Sequence, residues 1–186
     1  MNEFFIHQRI ESVWRTESAK IIASITRMVR DISLAEDVAQ DTLIIALERW
    51  PVSGIPDNPG AWLMTVAKRK AIDMLRRKKR LDQKYDQMVY EMNTHFEPDL
   101  ADDIDEDIKD NLLRLIFMTC HPVLSKNARV ALTLRLVGGL TTEEIANAFL
   151  VPEPTIAQRI VRAKRTLAAA NVPFEVPQKA AFAERL

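Results

Sequence analysis

Between Leu140 and Leu167 the chain reads LTTEEIANAFLVPEPTIAQRIVRAKRTL, and this run leaves little freedom of fold. Thr141 or Thr142 can cap a helix start, and Glu143 and Glu144 follow at the positive end of its dipole. Ile145, Ala146, Phe149 and Leu150 then form one apolar stripe. Val151-Pro152-Glu153-Pro154 ends that helix, because each proline lacks an N–H and restricts the residue before it. A second helix opens at Pro154 or Thr155. Ile156, Ile160, Ala163 and Leu167 share its buried side, while Thr155, Gln158, Arg159, Arg162, Arg165 and Thr166 lie on a separate arc. No acid occurs from Thr155 to Ala170. A short helix, a tight break and a basic second helix make the pattern of a helix-turn-helix. The plainer alternative is an αα-hairpin with a solvated basic face.

The rest of the chain is helical by the same criterion of apolar spacing. Residues Glu3 to Val29 carry Ile10, Val13, Trp14, Ile21, Ile22, Ile25 and Met28 as core positions. Ser33 is expected to cap the next helix, with Glu36 as its capping-box partner. From Leu34 to Trp50 the apolar set Ala35, Val38, Ala39, Thr42, Leu43, Ala46 and Trp50 keeps a 3.6-residue period. The opposite arc holds Asp37, Gln40, Asp41, Ile44 and Glu48, either plain solvated surface or a face for docking a protein. Pro51 to Pro59 reads as a loop, after which Asn58 caps a helix with Pro59 in its first turn. That helix runs from Gly60 to about Arg80 and buries Leu63, Met64, Ala67, Ala71, Met74 and Leu75. Trp62 shares its other arc with Arg69, Asp73, Arg76 and Arg77. Trp62 either packs on a neighbouring helix or is offered to a ligand.

Net charge is zero, with 26 basic and 26 acidic residues, but the distribution is uneven. Lys68 to Arg80 holds eight Lys/Arg against Asp73 alone, whereas Glu97 to Asp107 holds seven Asp/Glu and no base. Asp82 to Asp107 lacks sustained periodicity and is expected to be an acidic linker, with a frayed helix around Tyr85 to Met92. Beyond it, a buried helix containing Leu112, Leu113, Leu115, Ile116, Phe117 and Met118 stops at Pro122. Another spans Lys126 to Val137 and closes at Gly138-Gly139. Asn171 to Pro177 is an irregular exit, and Gln178 to Leu186 starts a further helical pattern.

Several function classes find no residues. Only four glycines occur, and none sits in a phosphate-cradling spacing. His7, His95 and His121 are far apart, with no pair at ligand spacing. Cys120 beside His121 is too small a set for zinc. Cys120 reads instead as a core residue, and His121 as a cation at a helix C-terminus. The carboxylates of Glu97–Asp107 lack the glycine and spacing of a calcium loop. No enzyme chemistry, cofactor or metal is expected, nor a small-molecule substrate. No apolar run reaches the ~18 residues of a membrane span, the first residues lack a basic leader, and a lone cysteine fits a reducing cytoplasm. Two separated basic helices point instead to nucleic acid. One has the form that reads a major groove, the other pairs arginines with an aromatic suited to stacking on unpaired bases.

These residues together resemble the extracytoplasmic-function (ECF) group of bacterial RNA polymerase sigma factors, over about residues 8–170. Ala35-Glu36-Asp37-Val38-Ala39-Gln40-Asp41-Thr42 is similar to that group's region 2.2. Pro59-Gly60-Ala61-Trp62-Leu63, Ala67 and Ala71-Ile72-Asp73-Met74-Leu75-Arg76-Arg77 are similar to regions 2.3 and 2.4, and Leu140–Leu167 to region 4.2. The resemblance implies an all-α chain of two small helical domains. Residues 1–81 would bind core polymerase and the −10 element, 82–107 would be the linker, 108–170 would bind the −35 element, and 171–186 would begin a C-terminal extension. Asp37, Gln40, Asp41 and Ile44 would dock on the β′ clamp helices of the core enzyme, which also offers its β subunit. The loop from Pro51 to Asn58 would pocket a flipped base. Asn58, Trp62, Lys68, Arg69, Arg76 and Arg77 would contact −10 DNA. Thr155, Gln158, Arg159 and Arg162 would face the −35 element, with Lys164 and Arg165 on phosphates. The acidic linker would follow channels otherwise used by RNA.

Two positions, Leu150 and Pro154, depart from the glycines common in the group and imply a stiffer turn. The run Phe117–Pro122 and the run Ala148–Pro154 resemble a subgroup with a large helical C-terminal extension, which would regulate in place of an anti-sigma protein. The alternative function is a stand-alone helix-turn-helix regulator of duplex DNA.

Overall fold

The structure, a computed structural model, describes residues 3–86 and 104–177. Among them are seven helices and no strand: α1 (Glu3–Val29), α2 (Ile32–Ser53), α3 (Pro59–Asp86), α4 (Ile104–Thr119), α5 (Lys126–Leu136), α6 (Thr142–Phe149) and α7 (Glu153–Ala169). The pattern from Gln178 onward, and most of the frayed helix expected near Tyr85 to Met92, lie outside the described residues.

α1 is the organising helix, packing against α2, α3 and α4 and touching α5. It buries Ile10, Ile21, Ala23 and Ile25 almost completely. α2 and α3 pair beside it, and α4–α7 form a second set in which α7 lies on α5 and α6. The two sets share one continuous apolar cluster, running from Ile6 through Trp50 and Leu63 to Leu132, Ile156 and Leu167. The tail after α7 folds back, with Val172 buried and Phe174 packed on the core.

Three local expectations are corrected. Asp31, not Ser33, caps α2: its carboxylate accepts from Ser33 N (2.8 Å) and Leu34 N (3.1 Å). The helix therefore starts at Ile32, whose side chain is buried, and an acidic acceptor at the N-terminus is stabilised by the helix dipole. Glu36 is thus not a capping partner. Second, α2 does not stop before Pro51 but runs through it to Ser53, ending at Gly54 with φ 82°. Proline near a C-terminus forfeits a single hydrogen bond, here on the solvent side beside half-exposed Leu47, so the expected loop shrinks to Gly54–Asn58. Third, α3 reaches Asp86 and α4 begins at Ile104, so helix extends into both ends of the expected linker.

The helix pair forms where it is expected, with two differences: α7 opens at Glu153, ahead of Pro154, and Leu150 leaves the apolar stripe to end α6. Thr141 Oγ1 accepts from Glu144 N (3.1 Å) while Glu144 Oε2 accepts from Thr141 N (2.8 Å), a complete capping box. α6 ends on Leu150, whose φ of 53° and ψ of 42° are left-handed. Its side chain is 92% exposed and packs on nothing that would compensate. A leucine in this region is strained, whereas glycine is not. Leu150→Gly is expected to stabilise the chain by about 0.5–1 kcal/mol, read as a higher urea midpoint at unchanged slope. A lower midpoint would show that the exposed side chain has a packing role.

Candidate nucleic-acid interface

Three surfaces carry the residues singled out by the sequence. On α2, Asp37, Gln40, Asp41 and Ile44 are all exposed on one side, opposite buried Ala35, Val38, Ala39 and Thr42. Leu47, one turn beyond Ile44, is 37% exposed and continues the apolar strip. Sequence reading passed over it, although its spacing of three from Ile44 places it on that side. Asp41 Oδ2 accepts from Lys70 Nζ on α3 at 2.9 Å, so this face is stitched to the next helix.

The second surface is α3. Asn58 caps it, accepting from Ala61 N at 3.0 Å, which occupies the oxygen of a residue assigned to DNA contact. Trp62 is half-buried: its ring lies 5.4 Å from that of Trp50, at 63°, in an edge-on arrangement. Trp50 is itself 1% exposed, so Trp62 does pack on a neighbouring helix. One side packs on a neighbouring helix and the remainder reaches solvent. Arg69, Asp73, Arg76 and Arg77 are exposed and Lys68 is half-buried along the same helix.

The third surface is α7, which buries Ile156, Ile160, Ala163 and Leu167 and exposes Thr155, Gln158, Arg162 and Arg165. Arg159 sits differently. Its guanidinium carbon lies 5.4 Å from the Phe149 ring centre on α6, a cation–π contact that turns the side chain toward the turn. Lys164 sits on the inner side rather than with the exposed row. Its Nζ donates to Glu36 Oε2 at 2.7 Å, and Arg135 Nε donates to Glu36 Oε1 at 3.1 Å. The structure therefore brings Thr155, Gln158, Arg162 and Arg165 together and sets Lys164 apart. Neither Glu36 nor Arg135 is a site residue by sequence, because nothing local reveals a partner about a hundred residues away.

A further link joins the two helix sets at the surface, where Arg15 donates to Glu144 at 3.0 Å and also to Glu11. The Thr141 backbone N–H, and after it the Arg15 guanidinium, hold the Glu144 carboxyl below its ordinary value of 4.5. A carboxyl lowered by folding stabilises the fold fully above its unfolded pKa, and that contribution disappears as pH falls through the lower, folded value. Lowering the pH from about 5 to 3 is therefore expected to lower the thermal midpoint, and Glu144→Gln to flatten that descent. An unchanged acid limb in the variant would exclude the capping carboxylate as its source.

Cys120 is half-buried, with Sγ 3.7 Å from Thr133 Oγ1. His121 Nδ1 accepts from Val123 N at 3.2 Å, a contact inside the turn that follows α4. Among the described residues, no group of three His, Cys, Asp or Glu could hold a metal, and no helix is long and apolar enough to cross a membrane. The cleft between α1, α2 and α5, lined by Trp14, Ser18, Glu36, Gln40 and Arg135, has a volume of about 40 Å³, too small for a metabolite.

Residues 14–81 match the model of Sigma-70 region 2, and residues 114–167 that of Sigma-70, region 4. An uncharacterised protein of Rhizobium meliloti is 40% identical over 166 residues, covering 89% of this chain and 39% of that protein. The probable ECF RNA polymerase sigma factor SigI of Mycobacterium tuberculosis is 26% identical over 170 residues, covering 91% of this chain and 58% of that one. The chain thus spans roughly two fifths to three fifths of the length of these two relatives. The RNA polymerase sigma-H factor of Pseudomonas aeruginosa is 32% identical over 159 residues, covering 83% of this chain and 82% of that one. With both region models matched in order, no strand among the described residues, a sigma factor of similar extent at 32% identity and an ECF sigma factor among the relatives, the protein belongs to the ECF group of the sigma-70 family.

Proposed function

We propose that this chain binds core RNA polymerase, directs it to particular promoters and helps to separate the strands of the −10 element. The observation that carries the reading is the presence, on one fold, of two separate cationic helical faces and a third face of opposite character. The α3 face joins Trp62 to exposed arginines, the α7 face offers Gln158, Arg162 and Arg165, and the α2 face sets Asp37 and Asp41 beside exposed Ile44. A simple duplex-binding regulator uses the α7 face and leaves the other two without a task.

In this reading residues 1–81 serve the polymerase and the −10 element, and residues 108–170 serve the −35 element. Arginines and lysines along α3 supply sequence-independent attraction to phosphates, and the open side of Trp62 stacks on an unpaired base. On α7, Arg162 and Gln158 have the donor geometry to read guanine and adenine edges. The chain acts as a binding subunit, and its partners are the core enzyme and promoter DNA, with an anti-sigma protein or its own C-terminal extension as regulator.

The test is run-off transcription with purified core polymerase on a fragment library. A defined product that depends on this chain is expected, with only weak duplex binding by the chain alone. Tight sequence-specific duplex binding without polymerase, and no product with it, would establish the stand-alone regulator instead. Arg162→Ala is expected to reduce discrimination between promoters by about 1–3 kcal/mol, roughly 5- to 150-fold, by loss of one bidentate base contact. Competition between two selected promoters measures it. Equal loss on every promoter would place Arg162 on a phosphate.

A further inference from the structure

Glu36 is the least expected feature of the molecule. Its side chain is 8% exposed, it belongs to the α2 segment that resembles region 2.2, and both its oxygens are taken by cations from the other helix set. Lys164 reaches it from the middle of α7 with 16% exposure, and Arg135 from α5 with 25%. Arg135 is fixed in turn, donating through Nη1 to Leu140 O at 3.2 Å at the start of the helix pair. Two cations around one buried carboxylate satisfy it completely. They also tie the −35 helix pair to the polymerase-binding helix at a defined position, which the apolar contact of α4 with α1 alone does not specify.

We propose that the Glu36–Arg135–Lys164 triad is a latch that holds the free chain closed and must release for promoter binding. The functional half of this statement rests on the sigma-factor reading. Promoter elements centred at −10 and −35 lie about 25 base pairs apart, roughly 85 Å of duplex at 3.4 Å per pair. A compact chain of 186 residues is only roughly 40 Å across. While Lys164 is 2.7 Å from α2, the faces of α3 and α7 cannot reach both elements. The chain from Asp86 to Ile104 has a contour of roughly 60 Å, enough to let the sets part. The closed form leaves Asp37, Gln40, Asp41 and Ile44 exposed, so docking on polymerase can precede opening.

Charge makes the latch reversible. Desolvation of a buried ion pair offsets much of its Coulomb attraction, so such a contact is specific in geometry without being strongly adhesive. Once released, Lys164 exchanges a carboxylate for a DNA phosphate, and the inner side of α7 becomes available next to Arg165.

Small-angle scattering of the purified full chain reads the latch without polymerase or DNA. The wild type is expected to be compact, and Glu36→Lys, which sets three cations together, to increase the radius of gyration by about 4 Å or more. The triple variant Glu36→Lys, Arg135→Glu, Lys164→Glu reverses every sign and is expected to return to the wild-type radius. Lys164→Gln, a milder change at a less buried position, is expected to lie between. Circular dichroism confirms that helix content is kept; were Glu36→Lys to lose helix, the comparison of Lys164→Gln with wild type decides. A Glu36→Lys chain that stays folded and as compact as wild type, or a reversed triad that stays expanded, would overturn the latch, as would a Lys164→Gln chain as compact as wild type. Because compaction needs no transcription, a failed run-off assay would overturn the sigma-factor reading, and with it the release for promoter binding, while leaving the triad as the contact that holds the chain closed.

Discussion

Trp50→Ala is expected to destabilise the chain by about 3–5 kcal/mol, the range for truncating a fully buried aromatic to alanine. Against a typical total of about 5–15 kcal/mol for a domain, that is a large fraction. The site accounts for the size of the effect. Trp50 is 1% exposed, among the largest wholly buried side chains, and it closes the gap between the end of α2 and the start of α3. No collapse of neighbours fills that gap easily, because Pro51 and Pro59 stiffen the backbone on either side. Trp50 Nε1 is buried and finds no acceptor among the described residues. Replacing the indole by phenylalanine therefore loses volume but no hydrogen bond, and Trp50→Phe is expected to cost less than half as much as alanine. Urea unfolding of the three proteins gives both numbers. A loss below about 1 kcal/mol for Trp50→Ala would mean that the site relaxes and that the ring is not a keystone. The functional corollary concerns Trp62, whose orientation is set by the edge of Trp50. On a Trp14→Phe background, which leaves Trp62 as the remaining tryptophan, Trp50→Ala is expected to shift the Trp62 emission to longer wavelength, as its packed side becomes wet.

Periodicity made the seven helices legible, since each buries an apolar stripe against another helix and such stripes are written in the local sequence. The start of α6 was legible as a cap by Thr141 or Thr142 with Glu144 as a charge at the positive end; the structure selects Thr141 and adds the reciprocal bond of Glu144. Glu36 shows where local reading stops. Its spacing from Ser33 fits a capping box as well as Glu144 fits Thr141, yet Asp31 takes the cap and Glu36 turns inward to Arg135 and Lys164. Both arrangements obey local rules, and only the packing of the second helix set on the first selects between them. Lys164 is the mirror case. It stands between Arg162 and Arg165 in sequence, but a rotation of 100° per residue separates neighbours, and its own side faces α2. Pro51 misled for a different reason, because a missing N–H near the last turn removes little and the burial of Trp50 outweighs it. Phe149 under Arg159 joins two helices across the turn, a contact set by their crossing and not by any spacing.

Asp41→Arg is expected to weaken binding to core polymerase by about 2 kcal/mol or more, roughly 30-fold, because it sets a cation where the proposed docking face presents an anion. The effect on the fold itself is expected to be small. Asp41 and Lys70 are 53% and 34% exposed, and a pair so open to solvent contributes under about 1 kcal/mol. This difference in size is what makes the variant informative: the thermal midpoint stays near wild type while affinity for the core enzyme falls. Asp41→Asn separates the two components, since it removes the pair with Lys70 without introducing repulsion, and it is expected to show the smaller loss. The triad around Glu36 lies on the inner side of the same helix and is untouched by either change. Affinity is measured by competition against wild-type chain for a limiting amount of core enzyme. If Asp41→Arg competed as well as wild type, the α2 face would be plain solvated surface and docking would have to be sought elsewhere. If Asp41→Arg and Arg162→Ala both lost promoter discrimination and kept core affinity, the division of tasks between α2 and α7 would be wrong.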